Sequence, residues 1–106
     1  MVFERRLWFC AAIFLSMDGA PALAGTIQVT IDRLAFAPAD IAARIGDTIE
    51  WVNNDPFAHT ATVKGKWEVM IPPKAKVTQR VDTVGIVDFF CRFHPNMKGR
   101  LTVSGQ

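Results

Sequence analysis

Tyrosine is absent from this chain, and only two cysteines and two histidines occur among its 106 residues. Charge of one sign is scarce as well: the formal net charge is +2, too small an excess to imply nucleic-acid binding. Half of the residues are hydrophobic, which excludes a disordered chain. No stretch sustains a helical period, and no internal repeat or low-complexity tract occurs. No apolar run reaches the roughly 20 residues needed to cross a bilayer as a helix. The length suits one domain and leaves no room for a catalytic domain beside a regulatory one.

What is present begins with a leader. Arg5 and Arg6, diluted by Glu4, precede an apolar run over 7–17, and Pro21-Ala22-Leu23-Ala24 adds a helix breaker and an Ala-x-Ala site. Residues 1–24 are expected to be a secretory signal peptide cleaved after Ala24, leaving a domain over 25–106. Lipid attachment at Cys10 is disfavoured by the bulky Trp8 and Phe9 ahead of it. Cleavage removes Cys10, so Cys91 becomes the single mature cysteine and an internal disulfide is excluded. A lone thiol in an oxidising compartment must pair between chains, stay shielded or bind something.

Beyond the leader, the pattern is of short strands separated by turn signals. Strands are expected over 26–31, 41–45, 48–53, 61–64, 76–81, 86–91 and 100–104, with 67–71 strand-like but ending in Pro72-Pro73. Seven or eight strands at such spacing predict an all-β Greek-key sandwich or small barrel. The apolar run 86–91 is expected as a central strand buried on both faces, so that its end sits rigidly at one pole.

That run ends in Cys91-Arg92-Phe93-His94-Pro95-Asn96-Met97, a Cys-x-x-His-x-x-Met arrangement. The other histidine, His59, follows the Asn53-Asn54-Asp55-Pro56 loop signal. All mature cysteine and histidine therefore falls in one set: a thiolate, two imidazoles and a nearby thioether. A His₂Cys trigonal set with a weak axial methionine is the signature of a blue-copper electron-transfer site. Zinc is the runner-up metal, because it accepts cysteine and histidine, although structural zinc seldom takes a thioether. Met70 has no spacing that supports a donor role and is assigned to core or surface.

These residues resemble the cupredoxins, and among them the small amicyanin-like or plastocyanin-like members. Phe36-Ala37-Pro38, Gly46-Asp47-Thr48, Trp51-Val52-Asn53, His59-Thr60, Phe90-Cys91 and His94-Pro95-Asn96-Met97-Lys98-Gly99 occur in the family's order. The two-residue gaps of the Cys-x-x-His-x-x-Met loop are like amicyanin's. The resemblance implies a Greek-key sandwich, one copper held by His59, Cys91, His94 and Met97, and a one-electron carrier. It also implies a monomer whose partners dock transiently near His94, through an apolar patch of Pro56, Phe57, Phe93, Pro95 and Met97. Thr60 stands where relatives often have the asparagine that ties the ligand loops together, and its hydroxyl can serve that role.

Two histidines in all are too few for a multicopper oxidase or nitrite reductase, so an enzyme is not expected. The leading expectation is an exported, periplasmic carrier serving redox proteins such as a dehydrogenase or a c-type cytochrome, with neither nucleic acid nor membrane insertion involved. The alternative is a periplasmic copper-trafficking protein, though only Met70 and Met97 are present to make a Met-rich site in the mature chain. Lys64, Lys66, Lys74 and Lys76 form either a patch for an acidic partner or an ordinary solvated face.

Overall fold

The computed structural model describes residues 23–105. The expected leader and its Cys10 lie outside them, except for Leu23 and Ala24, which are exposed and belong to no strand. Nine strands and no helix make up the described residues: β1 (Thr26–Asp32), β2 (Ala35–Ala37), β3 (Asp40–Arg44), β4 (Thr48–Asn53), β5 (His59–Val63), β6 (Trp67–Ile71), β7 (Lys76–Arg80), β8 (Gly85–Cys91) and β9 (His94–Ser104). Four form one sheet in the order β2-β1-β4-β7, and five form the other in the order β3-β9-β8-β5-β6. The pairs β1–β4 and β3–β9 are parallel, and the rest are antiparallel. The all-β sandwich expected from the sequence is therefore present, with nine strands in place of seven or eight.

The extra strand is β2. It pairs back on β1 through Arg33 and Leu34, which both take left-handed backbone angles, φ 53° and 65°. Two positive φ values are the mark of the tight hairpin turn whose twist matches its strands, and glycine or asparagine usually supplies them. Neither residue is present here, so the sequence carries no local turn signal.

Inward positions alternate along each strand and meet in one core. Phe36, Trp51 and Phe89 stack edge to face, with ring centroids 4.9–5.9 Å apart. Each such aromatic pair contributes about 0.5–1.5 kcal/mol beyond its area burial. The indole N–H of fully buried Trp51 donates to Gln79 Oε1 at 3.1 Å, which explains a polar residue on the inward face of β7. Gly99 lies opposite Phe89 in the β8–β9 ladder. A Cβ there would run into the Phe89 ring and come within 2.6 Å of the Ala39 carbonyl oxygen, so β9 needs glycine at the point where the ring crosses it.

β8 is the middle strand of its sheet, as expected, but only one of its faces is buried. Phe89 and Cys91 point inward, whereas Ile86 is 66% exposed, Asp88 is exposed and Phe90 is half-buried. In a two-layer sandwich a central position protects a strand's edges, and its outer face still meets solvent.

The β3–β4 turn closes one pole. There Thr48 N–H donates to the Gly25 carbonyl, Ile45 N–H to Ser104 O, and Gly46 N–H to Val81 O. β4 runs from that pole at Thr48 to the opposite one at Asn53, where the cysteine, histidine and methionine residues collect.

Candidate metal centre

Cys91 and His94 are directly paired across a two-residue turn, Arg92-Phe93, after a bulge between Phe90 and Cys91. The bulge re-aims the strand end, a frequent device beside functional sites. β5 starts at His59 and lies beside β8. The ligand atoms of His59, Cys91 and His94 all fall within 4.8 Å of one another. Both histidines face the sulfur through Nδ1, at 3.6 Å for His59 and 3.9 Å for His94. His59 and Cys91 are fully buried, and His94 is half-buried. Met97, three residues along β9 from His94, is buried in the same core cluster as Cys91.

Asp55 fixes the orientation of His59. Its Oδ2 lies 2.7 Å from His59 Nε2. A carboxylate accepts, so the imidazole carries its proton on Nε2, and the Nδ1 lone pair is left facing the sulfur. The same carboxylate accepts from Arg33 N–H at 2.8 Å and Leu34 N–H at 3.1 Å, the two residues of the left-handed turn. Burial by itself pushes the Asp55 carboxyl up, but the bonds from Leu34, Arg33 and His59 together hold it below the ordinary aspartate value. Asn53 orders the loop before it. Its Oδ1 accepts from Asp55 N–H at 2.9 Å, and its Nδ2 donates to the carbonyls of Phe57 (2.9 Å), Pro72 (3.0 Å) and Ile71 (3.2 Å). Sequence reasoning read 53–56 only as a turn and missed Asp55; its position four residues before His59 was the available signal.

Thr60 joins the two ligand loops in the manner anticipated. Its N–H points at Cys91 Sγ at 3.4 Å, and its hydroxyl accepts from Arg92 N–H at 2.8 Å. A sulfur with one backbone donor and two imidazole nitrogens around it, shielded from water, suits a soft metal in a closed cage.

The rim departs from expectation in two respects. Phe57 and Phe93 are 43% and 45% exposed and Pro56 and Pro95 are exposed, but Met97 is only 4% exposed and contributes nothing to a surface patch. The four lysines do not make one patch either. In the β5–β6 register, His59 faces Ile71 at the metal pole and Val63 faces Trp67 at the other. Lys64 and Lys66 therefore sit at the far pole, while Lys74 and Lys76 sit near the metal pole, where Lys74 Nζ donates to the Asn54 carbonyl at 2.7 Å. Met70, opposite Thr60 in the β5–β6 ladder, is exposed.

Comparison with known proteins gives the same architecture. Amicyanin from Paracoccus denitrificans is 25% identical over 89 residues, covering 74% of this chain and 66% of that protein. Plastocyanin from Scenedesmus fuscus is 28% identical over 95 residues, covering 74% of this chain and 97% of that protein. The crystal structure of amicyanin from Paracoccus versutus superposes with a TM-score of 0.65 at 26% identity, over 81% of this chain and 86% of that one. The cupredoxin-like domain family matches residues 6–103, a span that takes in every strand but the last residue of β9 and all four expected ligands, and the chain belongs to that family.

Proposed function

We propose that this chain is an exported type 1 (blue) copper protein that carries single electrons between redox proteins, with His59, Cys91, His94 and Met97 holding one copper. The observation that carries the reading is the convergence of Cys91 Sγ with the Nδ1 atoms of His59 and His94 inside a buried pocket. A bound copper ion supplies the Cu(I)/Cu(II) couple. The chain does the rest. The Asp55–His59 bond holds one donor and the Thr60 N–H on Cys91 another, independently of the metal, so little rearrangement would accompany a change of oxidation state. Met97, carried on β9 and buried in the same cluster as Cys91, would complete the donor set. His94 is the one cluster residue that reaches solvent, and Phe57 lies against both rings, with centroids 5.3 Å from His59 and 5.8 Å from His94.

The exposed Pro56, Phe57, Phe93 and Pro95 around His94 are the docking surface, small enough for the transient contact a carrier needs. A dehydrogenase and a c-type cytochrome are the partner classes that the amicyanin-like loop suggests. The chain acts as a monomeric carrier, not an enzyme, in the periplasm after cleavage behind Ala24. No helix among the described residues is long and apolar enough to cross a membrane.

Loading the purified protein with Cu(II) tests the assignment. Intense visible absorption from sulfur-to-copper charge transfer is expected, and Cys91→Ser abolishes it. A colourless protein that binds only zinc overturns the reading. Reversible voltammetry with fast exchange marks a carrier, whereas ready copper release to an acceptor marks a trafficking protein.

A further inference from the structure

The Cys91–His94 turn is tied to the neighbouring strands by a closed circuit of hydrogen bonds that begins and ends on Arg92. Its backbone N–H donates to Thr60 Oγ1 at 2.8 Å. Thr60 Oγ1 and Thr62 Oγ1 are 2.9 Å apart, and Thr62 donates to Glu68 Oε1 at 2.8 Å. The Arg92 guanidinium closes the circuit, with Nε on Glu68 Oε1 and Nη2 on Oε2, both at 2.9 Å.

Glu68 sets the direction of every bond in it. A carboxylate only accepts, so Thr62 gives its single proton to Glu68. Thr62 must then accept from Thr60, and Thr60, with its own proton committed, accepts from Arg92. Arg92, first, and then Thr62 hold the Glu68 carboxyl below its ordinary value, so it stays charged and the direction does not reverse near neutrality.

The circuit passes through Thr60, the residue whose N–H points at the Cys91 sulfur. Thr60 is thereby held from both ends, by its hydroxyl on Arg92 and by its N–H on Cys91. Stability does not account for the arrangement, because Glu68 and Arg92 are 34% and 51% exposed, and an ion pair so wetted contributes little to folding. The geometry points to Glu68, on the edge strand β6 and outside the donor set, as a positioning residue that fixes the Thr60 N–H on the Cys91 sulfur and thereby sets the potential of the centre. A donor on a thiolate draws electron density from sulfur and favours the oxidation state that leaves more charge there, which is the reduced one. The inference rests on the copper reading.

Thr62→Val cuts the middle of the circuit while keeping a strand-forming residue of the same shape, and Glu68→Ala removes its anchor. Each is expected to shift the charge-transfer band and lower the reduction potential. The double variant is expected to go no further than the larger single one, because the links act in series. In the metal-free protein both variants are expected to speed hydrogen exchange at the Thr60 and Arg92 amides by about tenfold, the weight of one net hydrogen bond. Asp88→Ala, which breaks the similar exposed pair with Arg100 at 2.9 Å, is expected to change none of these readings. Should Thr62→Val fail to fold, Glu68→Gln takes its place, since an amide can donate to Thr62 as well as accept and so frees the direction. A normal blue band and potential that ignore these variants, with unchanged exchange, overturn the inference alone. No blue band in the wild-type protein overturns the copper reading and this inference with it.

Discussion

Asp47 and Asp55 perform the same mechanical task at opposite poles, and the contrast between them shows where the molecule turns structure into chemistry. Asp47 is buried in the β3–β4 turn, where its carboxylate accepts from Gly25 N–H and Arg44 N–H, both at 2.9 Å. Asp55 is buried before β5 and accepts from Arg33 N–H and Leu34 N–H. Each pins a chain segment more than 20 residues upstream. Only Asp55 has a third partner, His59. One pin closes the sandwich; the other also aims a candidate ligand.

Asp55→Ala is the largest single break in this comparison. It leaves two N–H groups of a left-handed turn and the His59 Nε2–H without an acceptor, at a cost of about 3 kcal/mol in unfolding free energy. Copper affinity is expected to fall roughly 10–100-fold as His59 loses its orientation. Denaturant unfolding of the metal-free protein and competitive metal titration measure the two effects separately. Asp47→Ala is expected to lower the unfolding midpoint while leaving copper affinity and the visible spectrum unchanged, because nothing at that pole touches the donors. A spectral change in Asp47→Ala would break the comparison.

The smallest effect is the pH profile. Both carboxyls lie below the ordinary aspartate value, Asp47 through its bonds from Gly25 and Arg44, and Asp55 because its bonds outweigh burial. A depressed value means that the unfolded chain binds the proton first. Their stabilisation is therefore complete above about pH 4, where the unfolded carboxyl is ionised, and is lost as pH falls through the lower folded value. Urea midpoints of the metal-free protein between pH 5 and pH 2 are expected to fall less steeply in Asp47→Asn or Asp55→Asn than in the wild-type protein.

The donor cluster was legible in the sequence because its chemistry sits in rare residue types. With Cys10 assigned to the leader, Cys91, His59 and His94 are the whole cysteine and histidine content, and their spacing needs no structure to interpret. The supports were not legible, because they join residues distant in sequence. Nothing local to Arg33-Leu34 announces a turn; its backbone donors find Asp55 more than 20 residues away. The last strand was expected only over 100–104, yet β9 starts at His94 and runs through Gly99, since the glycine makes room for Phe89. The run 86–91 looked buried throughout because composition cannot say which face of a central strand meets water. Thr60 was found through resemblance, but its continuation through Thr62 to Glu68 and back to Arg92 depends on strand register alone.

The pole that gathers Gly25 and Ser104 around the β3–β4 turn has a practical consequence for wiring the molecule to a surface. Along β4, that pole is separated from the metal site by about 20 Å of strand. A thiol or affinity tag added after Gln106 anchors the domain by the pole opposite the metal site and leaves the His94 edge facing outward. Such a film presents every molecule in one electrical orientation, contact side to solution, and an attachment through Phe57 or Phe93 turns it over.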